Sequence, residues 1–110
     1  MSAEDLNITV IDLGAKRKGQ LNESYLTSFG AVVGNALERL LAGMDINNLK
    51  VKGSPQEMQA FLSALGAEKR HIEHIVQNGY DDPRTSSHAR TALEAVVDFE
   101  KLTGLKWPIK

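Results

Sequence analysis

The sequence predicts a mostly helical α+β protein in the order β-α-β-α-α, with two short strands and a C-terminal antiparallel helical hairpin. Three observations predict it. Two short segments, "LNITVIDLG" and "NLKVKG", carry strand-like residues and flank a long segment whose apolar residues recur at three-and-four spacing. Two further segments with helical spacing follow, parted by the turn "YDDPR". The helical segments are punctuated by residues that start and stop helices: Asn22 and Ser54 before, and Gly43, Gly79 and Gly104 after. The 110 residues read as a single domain of three parts: strand–helix–strand over 6–53, a helical hairpin over 54–104 and a tail over 105–110.

The first strand covers residues 6–13, rich in β-branched side chains and closed by Gly14. "AKRKGQ" is a basic, glycine-bounded loop. The first helix has Asn22 as N-cap and Glu23 in its first turn, and Tyr25, Phe29, Val33, Leu37 and Leu40 are among its apolar positions. The second strand places Leu49 and Val51 on one face. In "SPQE", Ser54 caps, Pro55 takes the first helical position and Glu57 closes a capping box. That helix runs to Asn78 with Met58, Phe61, Leu62, Leu65, Ile72, Ile75 and Val76 as its apolar face. The third runs from about Thr85 to Thr103, with Ala89, Ala92, Leu93, Val96, Val97 and Phe99 inward. Gly104 ends it, and Leu105 is expected to fold back on Phe99 in a Schellman-type contact. An isolated pair of strands is marginal in water, so the two strands pair either through a parallel crossover or with another subunit.

Composition narrows the chemistry. Apolar residues make up 42% and charged residues 25%, ordinary for a soluble globular chain, and the net charge of −1 gives no general attraction to nucleic acid or an anionic membrane. The absence of cysteine removes disulfides, thiolate nucleophiles and cysteine metal sites, and fits a reducing compartment. The first residues lack a basic segment followed by an apolar run, so no secretion signal is expected, and no run reaches the ~20 apolar residues of a spanning helix.

The apolar arc of the first helix covers about half its circumference, wider than the ~100° stripe of a one-sided helix. Gly30 and Gly34 lie at its edge, each costing about 1 kcal/mol against alanine, a cost offset where another backbone approaches closely. Either this helix packs on two sides within its own domain, or Phe29, Gly30, Val33, Gly34 and Leu37 form a seam between subunits. In the tail, Leu105, Trp107 and Ile109 either cap the hairpin or anchor another chain.

Charges interrupt the hairpin faces. Glu68 and Lys69 fall between Leu65 and Ile72, and Glu100 sits beside Val96 and Val97. They either reach solvent or pair with each other on a half-covered hairpin, or pair across an interface and set its register. No nucleophile, triad or phosphate loop surrounds them, and no catalytic residue is assigned. "EKRHIEH" holds one Glu-x-x-His, Glu68 and His71, whereas a di-iron bundle needs two such motifs and two further glutamates. His71, His74 and His88 are therefore read as surface residues, with no metal and no cofactor. Lys16, Arg17 and Lys18 are the candidate nucleic-acid contacts, though the run is short and without aromatic neighbours.

The segments "GQLNESYLTSFG", "VKGSPQEMQAFLSALGAEKRHIEHIVQNGYDDPRT" and, most specifically, "FEKLTGLKWPIK" resemble small proteins encoded in tailed-phage genomes and prophages. The resemblance covers most of the chain and implies a virion or virion-assembly component acting in many copies, located in the virion or in the host cytoplasm during assembly. The expected function is a non-enzymatic head or head–tail structural protein that forms a homo-oligomer and contacts other virion proteins. The alternatives are an antagonist or binder of a host factor or small ligand, and a nucleic-acid-binding accessory protein. Nucleic acid and membrane are not expected partners.

Overall fold

The computed structural model describes residues 9–44 and 49–108. The order is β1 (Thr9–Asp12), α1 (Glu23–Leu41), β2 (Leu49–Lys52), α2 (Pro55–Asn78) and α3 (Pro83–Thr103), the α+β class expected. Residues 6–8 of the expected first strand and Ile109 of the tail lie outside the described residues.

The two strands pair with each other in parallel, the first of the two alternatives, with Thr9 beside Leu49 and Asp12 beside Lys52. A parallel pair needs a crossover, and α1 supplies it. Ile11 is buried whereas Val10 is exposed, so one face of the sheet is covered and the other is open.

Local chemistry sets the helix ends. The Asn22 side chain accepts from the Tyr25 amide at 2.9 Å. Ser54 and Glu57 form the expected capping box, with Pro55 at the first helical position. α3 begins two residues earlier than the sequence suggests, because Asp82 and Pro83 repeat the cap-plus-proline arrangement of Ser54 and Pro55. At its other end Gly104 is left-handed at φ +74°, and a Cβ there would meet Leu21 at 2.9 Å. Leu105 joins Phe99 in the core cluster, the Gly104 amide donates to the Glu100 carbonyl at 2.8 Å, and a side-chain relay holds the turn: the Thr103 hydroxyl donates to the Phe99 carbonyl at 2.8 Å and accepts from the Leu105 amide at 3.2 Å.

That relay turns the tail back into the core. Phe29 of α1, Phe61 of α2 and Phe99 of α3 meet around one point, and Trp107 closes the group at 5.5 Å from Phe99, edge to face. The Trp107 amide donates to the Glu100 carboxylate at 2.7 Å, so the carboxylate that interrupts the α3 face fixes the tail. Trp107 is only 3% exposed and Leu105 is fully buried by their own chain. Burying such a ring is worth about 4–6 kcal/mol at ~25 cal/mol per Å² over ~150–250 Å².

The basic loop has a structural role. Arg17 grips Glu57 with both ends of its fork, at 2.9 and 2.8 Å, and Lys18 bonds Asp12 at 2.7 Å. Glu57 also accepts from the Ser54 amide at 2.8 Å. Bonding to Arg17, with help from Ser54, holds the buried Glu57 carboxyl down at about 2.

Trp107→Ala opens a cavity among three phenylalanine rings and should cost about 3–5 kcal/mol of unfolding free energy in the isolated protein, read by denaturant titration. An unchanged midpoint would remove the tail from the core. For Glu57 the folded value lies below the ordinary one near 4.5, so its contribution is fully present above about pH 4.5 and fades as pH falls toward 2. Arg17→Ala should therefore lower the melting temperature at pH 7 by more than it does at pH 2.5.

Candidate functional site

The core cluster draws Phe61, Ala64 and Leu65 from α2 and Val96 and Phe99 from α3, so α1 and the tail cover only the half of the hairpin nearest the sheet. Among the described residues, the two long helices past Leu65 have only each other for cover. There a groove of about 440 Å³ opens between them, lined by Glu68, His71, Ile75, Tyr80, Ala92 and Leu93 among others. Its outer parts are apolar and wet: Tyr80 is 79% exposed and Leu93 54%.

Glu68 lines this groove yet is only 5% exposed. It makes no hydrogen bond or ion pair among the described residues. Loss of water alone pushes its carboxyl above the ordinary value. Lys69, the next residue, reaches back to Glu73 at 3.1 Å in a surface i,i+4 pair. Such pairs contribute little.

One of the three histidines, His74, is not the surface residue the sequence suggests. His74 is buried at the hairpin elbow, its ring 4.6 Å from that of His88. Its Nδ1 lies 3.3 Å from the Asn78 amide nitrogen, and its Nε2 lies 3.5 Å from Asp82. The elbow brings these groups together because Asp82 is committed to capping α3, taking the Arg84 amide at 2.8 Å and the Arg84 guanidinium at 3.2 and 3.1 Å. Among the described residues no three His, Asp or Glu side chains converge as metal ligands. No helix among them is long and apolar enough to cross a membrane.

Of the two readings of α1, packing within its own domain holds for Phe29, Val33 and Leu37, which are therefore not seam residues. Phe29, Val33 and Leu37 are buried inside a single chain, because α1 packs against both the sheet and the hairpin. A Cβ at Gly30 would meet only Pro108, at 3.7 Å, and one at Gly34 would meet nothing within 4 Å. No backbone of the described chain approaches either glycine closely. Leu105 and Trp107 likewise belong to the core rather than to a free anchor. Of the candidate nucleic-acid contacts, Arg17 and Lys18 are held by carboxylates of their own chain, and the stem of Lys16 lies over Gly104.

The apolar surface left open lies on α2 instead. Met58, Leu62 and Val76, read from sequence as core, are 37%, 62% and 79% exposed. The apolar arc of α2 is wide enough for two contacts, and α3 with α1 fills only one. That width was the available signal, but periodicity alone does not say which edge of an arc is covered.

No protein-family model matches the chain, and neither a curated protein nor a solved structure does.

Burial without a partner makes Glu68 a liability in the isolated chain. Its folded carboxyl titrates above its unfolded value, so its charge destabilises the fold as pH rises past the ordinary carboxylate range. Glu68→Gln, measured in dilute protein, should raise the melting temperature at pH 7 and leave it nearly unchanged at pH 3. A lower melting temperature at pH 7 would mean that the carboxylate has a stabilising partner.

Proposed function

We propose that this chain is a non-enzymatic structural or assembly protein of a tailed-phage particle, a head or head–tail component that works through self-association and contacts with larger virion proteins. The observation that carries the reading is the uncovered apolar surface of the hairpin, Leu62 and Val76 on α2 with Tyr80 and Leu93 at the groove. Exposed apolar surface of this kind, rimmed by charge, marks a place where protein meets protein. The phage context comes from the resemblance carried by "FEKLTGLKWPIK" and the two longer segments before it.

The groove would equally serve a phage-encoded binder of a host factor, and one measurement separates the two. Mass spectrometry of particles purified from the encoding phage should find the chain in many copies per particle. If the chain is absent from particles and is recovered from infected cells bound to a host protein, the binder replaces the structural component.

A further inference from the structure

Glu68 sets a condition on whatever fills the groove between α2 and α3. It is buried, it lines the groove, and it makes no hydrogen bond or ion pair among the described residues. The side-chain atoms that are sealed from solvent without a partner among those residues are His74 Nε2 and Trp107 Nε1. The Glu68 oxygens therefore keep an opening, and the open space that the residue lines is the groove.

The helix around it does not answer the charge. Lys69 projects about 100° away and bonds Glu73. The Arg70 guanidinium lies back toward Gly66, where an added Cβ would meet its Nη1 at 3.4 Å. No lysine or arginine is among the described residues that line the groove. Its walls are Ile75, Ala89, Ala92, Leu93 and Val96, with Tyr80 exposed at the rim.

An occupant that matches this lining carries one positive charge at the end of an apolar stem. A buried carboxylate left alone is costly, and a cation that reaches it removes that cost. Lysine has this build, with methylenes that lie along apolar surface and a compact ammonium at the tip. Arginine matches less well. A guanidinium brings five donors and an ammonium three, whereas the lining offers the two Glu68 oxygens, a His71 ring nitrogen and the Tyr80 hydroxyl. The extent of the apolar surface points to a protein rather than a free amine. Tyr80 and Leu93 are more than half exposed, as is Val76 next to Ile75. A small amine seated at Glu68 leaves that surface in water, whereas a chain that presents a lysine also covers it.

We propose that the groove is a lysine-binding site: it receives the side chain of a lysine on a partner protein, with the ammonium bonded to Glu68 and the stem against the apolar walls. The inference rests on the structural-assembly reading above and names the chemistry that the partner contributes.

The test uses the whole chain and small probes at millimolar concentration: Nα-acetyl-lysine N-methylamide, its norleucine and arginine analogues, and hexylammonium. The norleucine analogue keeps an apolar stem without the ammonium. Followed by amide NMR, the lysine probe should shift the residues of the groove saturably and bind about tenfold or more tighter than the norleucine and arginine analogues. Glu68→Gln should abolish the preference over norleucine while raising the melting temperature of the free chain at pH 7. A residue that only supports the fold would not move binding and stability in opposite directions. In phage that carry Glu68→Gln, mass spectrometry should find about tenfold fewer copies of the chain per purified particle.

Equal binding of the norleucine probe, tighter binding of the arginine probe, or a lysine probe indifferent to Glu68→Gln overturns the proposal. A lower melting temperature for Glu68→Gln also overturns it, because the carboxylate would then have a partner in its own chain. Hexylammonium bound far more tightly than the lysine probe would make this a site for a free amine and overturn it too. If the wild-type chain is in particles and Glu68→Gln enters them equally well, the lysine site is lost and the structural reading stands. If the chain is absent from particles while the probes depend on Glu68 as expected, the structural reading falls and the lysine site stands.

Discussion

The fold depends on the closure of one aromatic cluster by the chain's own tail. Phe29, Phe61 and Phe99 come from three different helices, and Trp107 packs against all three at ring separations of 6.5, 6.1 and 5.5 Å. A domain of this size has a small core, so one large ring is a sizeable share of it. Everything that directs the tail serves this contact: the left-handed Gly104, the Thr103 hydroxyl between Phe99 and Leu105, and the Glu100 carboxylate on the Trp107 amide. Once the ring is inside, Trp107 is no longer exposed as an anchor for another chain, and the inner face of α1 is occupied.

Two glutamates on α2 show how placement decides what a buried charge does. Glu57 is as buried as Glu68, but it sits at a helix N-terminus, accepts the Ser54 amide and is met by the Arg17 fork. The N-terminal dipole and three hydrogen bonds favour its ionised form. Glu68 sits mid-helix, where every backbone amide is already bonded, and desolvation is the only influence on it. The first ties the basic loop to the hairpin and makes "AKRKG" a structural clasp. The second is a cost in the isolated chain, of the kind that sets register when a partner supplies the opposite charge.

The hairpin carries more apolar surface than the other described residues cover. α2 and α3 outrun the sheet and α1, so the cover ends near Leu65 and the groove begins. The sheet, by contrast, solves its own problem, because the α1 crossover lets the two strands pair within the chain. The apolar surface left open on the hairpin therefore lies on α2 and at the groove.

The helix ends were legible in the sequence because caps are local: Asn22, Ser54 with Glu57, and Gly104 act on amides and carbonyls within a few residues of themselves. The helical order was legible because period 3.6 is written in one strand of text. Asp82–Pro83 was equally local and readable by the same rule, though "YDDPR" looks first like a turn. What the sequence could not decide was which side of each wide apolar arc would be covered. Phe29, Val33 and Leu37 went inward while Leu62 and Val76 stayed out, although all five sit at helical spacing. That choice depends on where α1 and the tail land on the hairpin, which pairs residues far apart in the chain. The parallel strand pairing, the Arg17–Glu57 clasp and the burial of His74 and Glu68 were fixed at the same level. The sequence by itself determined the elements and their ends through neighbours along the chain; only the tertiary structure decided which faces remained for a partner, because burial is a property of contacts made across it.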